Sequence, residues 1–252
     1  MKQNKYMLPV ITLSIVLGIW EVLVRMLDIS SYVLPAPSKI ALAVITDFAN
    51  LWSHSIVTLQ EAVLGLGISM ILAVVIAVIM DISQTIYQSL FPYLVVTQTV
   101  PVLVLGPLFT IWFGFGMMPK VLIVILMCFF PIVISLSDAL KNVDKNQMNL
   151  LQSFGANKLQ QYLLVKLPSA ATALISGLKV SATYCIGGAI VGEWLSASAG
   201  LGYYMIRLKN GFMMDKVFAC VLAIIFWSLA LNFVVSILEW IIFPYTRKRK
   251  YK

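Results

Sequence analysis

Residues 149–168 read NLLQSFGANKLQQYLLVKLP, a polar segment in an otherwise apolar chain. Its residue types favour helix, and Gly155 is the single glycine within it. Long apolar segments lie on both sides. A polar, helix-forming stretch between two such segments predicts a loop outside the lipid, and it divides the rest of the chain into membrane spans.

The composition places the chain in a membrane. Hydrophobic residues make up 61% and charged residues 11% of the 252 residues, whereas soluble domains are about half apolar and about a quarter charged. A net charge of +8 would favour nucleic acid in a soluble protein, but here the basic residues flank apolar segments and cluster at the C-terminus. We therefore expect an all-α integral membrane protein in contact with lipid, with no nucleic-acid partner.

The cysteines and the histidine do not form a recognisable site. Cys128, Cys185 and Cys220 lie in apolar runs without a CxxC pair, so we expect buried thiols. His54 has no Cys or His cluster around it, while a zinc site needs about four ligands. We expect no metal site and place His54 at the surface.

Six segments are long enough to cross a bilayer, which takes about 20 helical residues. The third contains Pro92, Pro101 and Pro107, so we expect a kink in its middle and a position along a pathway rather than against lipid. We expect one membrane domain over 1–252 without an internal repeat. The predicted spans are 7–27, 62–80, 91–113, 121–139, 170–192 and 217–238, with the polar loop at 141–168 between the fourth and fifth.

The lysines and arginines orient the chain. With six spans both termini lie on one side, together with the loop 141–168. That side carries eleven basic residues, six at Lys2, Lys5, Lys141, Lys145, Lys158 and Lys166 and five in the tail 247–252. The other side carries five, at Lys39, Lys120, Arg207, Lys209 and Lys216. The excess predicts a multi-pass protein of the cell membrane with both termini and the loop in the cytoplasm.

The loop has room for two short helices. Gly155 separates them and supplies either a flexible joint or a residue with positive φ. After it, Leu159, Leu163 and Leu164 fall on one helical face, with Lys158 elsewhere. Such a helix binds either lipid headgroups or a groove in another protein, and its few lysines favour a protein.

Ordered blocks along the chain resemble ABC importer permeases, the membrane subunits of binding-protein-dependent transporters. Gly155 and the Leu-Pro pair at 167–168 are similar in spacing to that family's Glu-Ala-Ala loop. The resemblance is to the branch that imports sulfonates, taurine, nitrate and thiamine precursors. The other blocks are LPAPS at 34–38, PVLVLGPLFTIWFGFG at 101–116 followed by Lys120, GEWL at 192–195 and GLGY at 200–203.

The chain departs from the family pattern where Asn149, Leu150 and Leu151 replace Glu-Ala-Ala. The loss of the acid removes one polar contact expected with the ATPase. An asparagine at the start of a helix can still cap it, so we expect the fold of the loop to persist. We expect the contact to move to the apolar face around Leu159 and Leu163.

The resemblance implies a driven subunit that pairs with a second copy or a paralogue. Cytoplasmic ATPase subunits, which use ATP and Mg, would bind the loops, and an extracytoplasmic binding protein would deliver a small nutrient. This chain would bind no cofactor, and it has no GxxxxGK[ST] phosphate loop. The implied coupling residues are Asn149, Ser153, Gly155, Ala156, Leu159, Leu163, Leu167 and Pro168.

Other classes of function fit the residues less well. A self-sufficient secondary transporter favours acids in the middle of its spans, and a membrane enzyme needs clustered acids, histidines or an activated nucleophile. The acids here are scattered. For the substrate, an aromatic and uncharged lining would favour a pyrimidine-type thiamine precursor, whereas Lys179 would favour a sulfonate or another anion.

Candidate pathway residues lie in the third and fifth spans. Lys179 either faces the pathway or extends its ammonium to the membrane surface. With Ser176 and Thr183 it forms an i, i+3, i+7 stripe, which lines a polar route or forms a helix–helix seam. Tyr184 and Pro101 complete the candidate pathway.

Candidate residues for an outer gate or a partner contact follow the fifth span. Glu193 either contacts a partner or pairs within the chain with Arg207 or Lys209. Trp194 stacks on substrate or belongs to the aromatic belt at the membrane surface. Gly200 and Gly202 complete the set. Gly188 with Gly192 is either a small-xxx-small pair that permits close helix approach or a chance pair in a glycine-rich span.

Overall fold

The apolar segments form long helices in the computed structural model of the protein, which describes residues 7–242. No strand occurs between these residues, so the predicted all-α fold class is confirmed. The basic residues of both termini, on which the predicted orientation depends, lie outside the described range. The helices are α1 (Met7–Met26), α2 (Pro37–Thr46), α3 (Phe48–Ile82), α4 (Gln84–Thr97), α5 (Val102–Phe113), α6 (Met117–Lys141), α7 (Lys145–Ser153), α8 (Lys158–Gln161), α9 (Leu167–Ser196), α10 (Leu201–Asn210) and α11 (Met214–Ile242).

Five helices within residues 7–242 are long and apolar enough to cross a membrane: α1, α3, α6, the continuous helix 158–196, and α11. The helices α4 and α5 pass the same test only together, and they are bent by 96° at the break between them. The count is therefore five, or six if the bent pair is one span. The second span begins earlier than predicted, because α3 starts at Phe48 rather than near residue 62.

The break expected in the third apolar segment falls at Pro101. Its backbone is extended, with φ −61° and ψ 119°, and α5 begins directly after it. The residue before a proline disfavours helix, so α4 ends a few residues earlier at Thr97. Pro92 and Pro107 lie inside α4 and α5 and do not end them. The first half of the segment begins at Gln84, ahead of the predicted boundary at residue 91.

The core of the bundle is α6, packed against α9 on one side and α3 on the other. Glycines of α9 allow this approach. A Cβ on Gly192 would lie 2.9 Å from the Cα of Lys120, and one on Gly177 would lie 2.9 Å from the Cα of Ile132. A Cβ on Gly188 would meet the sulfur of α6's Met127 at 3.1 Å. The expectation that Gly188 and Gly192 permit close helix contact is confirmed.

Small polar groups connect α6 and α9 across this contact. The Ser181 hydroxyl donates to the carbonyl of Cys128 at 2.6 Å, and the Cys128 thiol donates back to the carbonyl of Ser181 at 3.4 Å. In the described part of the chain all the cysteines are free and buried, as predicted. Interhelical bonds of this kind add to packing where lipid offers no competing hydrogen bonds.

The junction between the polar loop and the fifth span differs from the prediction. We expected Pro168 to close the loop and the span to start near residue 170. Instead α8 continues through a π-helical turn, Tyr162–Lys166, into α9. The Leu167 N–H reaches back to the carbonyl of Tyr162. A proline ring crowds the preceding turn of an α-helix, and the wider π turn just before Pro168 accommodates it without a break.

Candidate functional site

The first helix of the polar loop is capped by an acid that the sequence prediction did not single out. The Asp144 carboxylate accepts from the N–H of Asn146 at 2.8 Å at the start of α7. Asn149, the expected cap, lies in the middle of α7, and its carbonyl accepts from the Ser153 hydroxyl at 3.0 Å. The capping role predicted for Asn149 is therefore wrong. The cap lies five residues earlier, where Asp144 supplies the acceptor that helix N-termini require.

Gly155 ends α7 by adopting φ +78°, a conformation in which a side chain is strained. Its N–H donates to the carbonyl of Gln152 at 2.9 Å, and the N–H of Ala156 donates to that of Leu151 at 3.0 Å. These bonds satisfy carbonyls at the end of the helix. Of the two roles predicted for Gly155, the positive-φ residue is the one observed.

The second loop helix starts with a capping box. Asn157 accepts from the N–H of Gln160 at 2.8 Å, and the Gln160 side chain accepts from the N–H of Asn157 at 2.9 Å. This exchange satisfies two N–H groups at the helix start. It fixes the direction in which the chain leaves Gly155.

The loop presents apolar side chains to its surroundings although its sequence is polar overall. Phe154 is 79% exposed and Leu159 is 66% exposed. An exposed apolar cluster flanked by polar residues is typical of a surface that another molecule covers. The remaining exposed members are Leu150, Leu163, Leu164 and Leu167.

An ion pair ties the base of the loop to α3. The Lys166 ammonium lies 2.8 and 2.7 Å from the two carboxylate oxygens of Asp81. Lys166 also lies over the ring of Tyr162, 5.8 Å from its centroid. Asp81 directly follows the second predicted span, 62–80, and the sequence alone indicates no partner for it. The two residues are 85 positions apart. The predicted topology places both on the same side of the membrane, but it does not predict their contact.

The residues proposed for the pathway on α9 divide into two groups. Lys179 pairs with Glu239 of α11 at 2.5 Å. The side-chain amide of Asn232, also on α11, donates to the Thr183 hydroxyl at 2.7 Å. Lys179 and Thr183 thus contribute to a polar seam between two helices, the alternative to the pathway. Ser176 is exposed, and its hydroxyl donates to the carbonyl of Thr172 at 2.9 Å.

Tyr184 instead lines an open cavity of about 240 Å³ beside the bend between α4 and α5. Pro101 itself is outside the lining, but its neighbours Val100 and Val102 belong to it. None of the ten lining residues, all of them in the described range, is charged. The lining residues are Thr97, Gln98, Val100, Val102, Leu105, Leu126, Met127, Phe130, Pro131 and Tyr184.

Glu193 lies inside the protein at the end of the bundle opposite the loop. One of its carboxylate oxygens accepts from the Thr58 hydroxyl at 2.6 Å, and the other accepts from the N–H of Gly202. The partners considered from sequence, Arg207 and Lys209, do not supply these bonds. Glu193 is buried, so it contacts this chain's own groups rather than an external surface. Trp194 is exposed and lines a cavity of about 420 Å³ next to Glu193.

The two glycines of the GLGY block are needed because the loop closes over this carboxylate. Gly200 has φ +110°, and a Cβ there would lie 2.2 Å from Glu193. A Cβ on Gly202 would lie 2.8 Å from the carbonyl of Ile190. The N–H of Gly200 donates to His54 Nδ1 at 3.1 Å. His54 is therefore half-buried and hydrogen-bonded, which corrects its predicted place at the surface.

A second buried acid, Asp47, joins α2, α3, α10 and α11. Its carboxylate accepts from the Tyr204 hydroxyl at 2.5 Å, from the Asn50 amide at 2.9 Å and from the Lys216 ammonium at 3.2 Å. Burial acts to raise the pKa of Asp47, but these three donors outweigh it and hold the pKa below its usual range. Burial and the Asp47 carboxylate raise the pKa of Tyr204. The cluster therefore holds a charged carboxylate at neutral pH.

Comparison with known proteins identifies the class. Residues 65–248 match the family model of the binding-protein-dependent transport system inner membrane component. That match includes most of the chain, and the protein belongs to this family. It is the membrane permease subunit of an ABC importer, and ATP hydrolysis takes place in a separate subunit.

Two relatives and one solved structure illustrate the similarity. The chain is 31% identical to the formylaminopyrimidine transport permease protein ThiX of Halalkalibacterium halodurans, over 96% of each chain. It is 28% identical to the taurine transport system permease protein TauC of Escherichia coli K12, over 85% of this chain and 80% of that protein. The fold is similar to that of a crystal structure of an amino acid ABC transporter with histidines, at a TM-score of 0.65 and 18% identity, over 79% of this chain and 96% of that one.

Proposed function

We propose that residues 141–168, the coupling loop, receive the ATPase subunit of the importer. The observation that carries this proposal is the exposed apolar cluster around Phe154, Leu159 and Leu163 on a segment that is too polar to lie in lipid. Burial of one such leucine side chain against a partner contributes about 2 kcal/mol. The loop therefore offers enough apolar surface for a stable contact even though Asn149 stands where the family has an acid.

Motion of the loop is passed to the membrane part by two rigid connections. The first is the continuous helix 158–196, which links the contact surface to the most heavily packed part of the bundle. The second is the bond between Lys166 and Asp81, which ties the same segment to the end of α3. A push on Leu159 therefore moves α9 and α3 together.

The working assembly in this proposal holds a second copy of the chain or a paralogue, two cytoplasmic ATPase subunits and an extracytoplasmic binding protein. ATP and Mg bind to the ATPase subunits, and this chain binds no cofactor. Both termini and the coupling loop lie in the cytoplasm, as the excess of lysine and arginine on that side favours.

For the substrate we propose a pyrimidine-type thiamine precursor. The cavity beside the α4–α5 bend combines Tyr184 and Phe130 with the uncharged polar groups of Thr97 and Gln98. A flat heterocycle can stack on an aromatic ring and hydrogen-bond to an amide or hydroxyl. The relative named for formylaminopyrimidine transport supports the same class.

A sulfonate is the second candidate, and the state of Lys179 argues against it. An anion favours an unpaired cation in its path, whereas the Lys179 ammonium already pairs with Glu239. The relative named for taurine transport is less similar over a smaller share of the chain. Uptake by the reconstituted importer, assayed with labelled aminopyrimidine and labelled taurine, tests the assignment. We expect uptake of the pyrimidine, and uptake of taurine alone would reverse the choice.

The coupling role is tested by comparing two glycines at opposite ends of the bundle. Gly155 has φ +78° and Gly114 has φ +75°, and each donates its N–H back to the preceding helix at 2.9 Å. Proline removes that N–H and fixes φ near −65°, so both substitutions perturb a turn in the same way. We expect Gly155→Pro to abolish copurification of the ATPase and Gly114→Pro to retain it. Equal retention in both variants would contradict the coupling role.

A further inference from the structure

The far end of the bundle contains a buried cluster of two carboxyl groups and one cation. Glu61 is 0% exposed, Glu193 is 1% exposed and Lys120 is 6% exposed. Lys120 bonds to Oε1 of Glu61 at 2.6 Å. If both glutamates were ionised, the cluster would hold one excess negative charge. A buried charge that lacks its partner is strongly destabilising.

One carboxylate oxygen of this cluster lacks a hydrogen-bond donor. Oε2 of Glu61 is buried, and no group within residues 7–242 forms a hydrogen bond to it. Contacts on both sides bring the two carboxyl groups together: Thr58, one turn before Glu61 on α3, bonds to Glu193 at 2.6 Å, and Lys120, which bonds to Glu61, lies against Gly192, the residue before Glu193. Two ionised carboxylates cannot form a hydrogen bond, because neither has a proton to donate. A single proton held between them would satisfy the orphan oxygen and remove the excess charge at once.

We propose that Glu193 holds this proton and donates it to Oε2 of Glu61, so that the two residues form a proton-binding site in the membrane subunit. The ammonium of Lys120 lies against Glu61 and favours its ionised form, which leaves the neutral form to Glu193. A protonated carboxyl still accepts the bonds from Thr58 and Gly202, because each of its oxygens keeps a free lone pair. This site goes beyond the transport role proposed above and does not depend on it.

The surroundings give the proton a route to solution. Glu193 and Lys120 line the cavity of about 420 Å³ at this end of the bundle, so the proton can exchange with water there. The neighbouring helix α5, which meets α9 where Gly106 contacts Leu195, carries no titratable residue. Within the described part of the chain, the titratable or charged side chains near this site are Glu61 and His54 on α3, Lys120 on α6, and Tyr203, Tyr204 and Arg207 on α10.

Infrared spectroscopy of the full chain in lipid nanodiscs tests the proposal directly. At pH 7 the C=O stretch of a protonated carboxyl, equal to one group per chain, is expected in the wild type. Glu193→Gln should lose it. Glu239→Gln is the matched control, because it removes a glutamate from a different lysine pair, and it should keep the band. Absence of the band from the wild-type spectrum overturns the proposal without reference to any variant.

Thermal unfolding provides the second readout. Raising the pH should remove the proton from the wild type. The infrared band should then disappear and the melting temperature should fall over the same pH range. Glu193→Gln imitates the protonated form, because its amide can donate to Glu61. Its melting temperature should therefore not fall over this pH range. Glu61→Gln leaves Lys120 without its carboxylate partner and should melt lower than the wild type at pH 7. If Glu193→Gln melts with the same pH dependence as the wild type, the proton is not on Glu193 and the proposal is wrong.

Discussion

Replacing Lys166 by methionine should weaken the base of the coupling loop by an amount that the structure allows us to work out. Both carboxylate oxygens of Asp81 accept from this one ammonium. The Asp81 side chain is only 9% exposed, whereas that of Lys166 is 22% exposed. Methionine preserves most of the apolar stem of the lysine, so the change removes the charge rather than the packing.

The expected loss of stability depends on which charge is left without its partner. Removal of one partner from a fully buried ion pair costs about 3–5 kcal/mol. Here the pair lies at the end of α3 and is partly exposed, so water can reach it, and we expect about 2 kcal/mol for Lys166→Met. Asp81→Asn should cost less, about 1 kcal/mol, because the lysine left behind can extend into water. The charge-swapped double variant Asp81→Lys with Lys166→Asp should regain part of the loss.

Two measurements test the role of the Lys166–Asp81 pair in stability and in coupling. Unfolding of the chain in detergent gives the free energies, with Lys158→Met, an exposed lysine on the same loop, as the control. In proteoliposomes with the ATPase and the binding protein, ATP hydrolysed per substrate imported should rise in Lys166→Met and fall again in the charge swap. A stability loss in Lys166→Met with an unchanged ratio would mean that the ion pair is only structural and does not transmit the motion.

Further predictions concern packing, pH and substrate. Gly192→Ala should destabilise the chain by about 1–3 kcal/mol, because its Cβ would lie 2.9 Å from a backbone atom of α6, whereas Gly187→Ala has open space and should be neutral in the same unfolding assay. Asp47 has a lowered pKa in the folded chain, so its contribution to stability is present above its unfolded pKa of about 3.9 and is lost as the pH falls through the folded value. Asp47→Asn should therefore melt below the wild type at pH 7, and the gap should narrow in acid. Lys179→Met should leave pyrimidine uptake intact at a modest cost in stability, and a complete loss of uptake in a folded variant would place Lys179 in the pathway.

Local features of the sequence were sufficient for the existence of the apolar helices and for the break in the third apolar segment, but not for all of the helix boundaries. Spans follow from runs of apolar residues, because unpaired backbone groups are too costly in lipid for anything but a helix or a closed barrel. The positive φ of Gly155 and the close contact at Gly192 were predictable because glycine, which lacks a Cβ, suits both situations. The break at Pro101 followed from the same kind of local rule, but the 96° bend did not.

The contacts between distant helices were not predictable, because a span that is apolar all round gives no sign of which face packs where. Glu61 and Lys120 are 59 positions apart and directly precede the second and fourth predicted spans, yet they form a buried pair. The predicted span was too short, since α3 begins well before Glu61. The prediction for Asn149 failed for a different reason. It followed the family spacing, although Asp144 lies directly before α7 and is the stronger cap.

A crosslink between the coupling loop and the ATPase tests most directly whether this loop is where the permease is driven. The cysteines of the described chain are buried, so a new surface cysteine gives a selective attachment point. Leu159→Cys should crosslink to the ATPase subunit in the assembled importer, and Phe115→Cys, which is also exposed but lies at the other end of the bundle, should not. A complex that hydrolyses ATP and imports substrate, yet gives no crosslink from Leu159→Cys, would contradict the proposed coupling role of the loop.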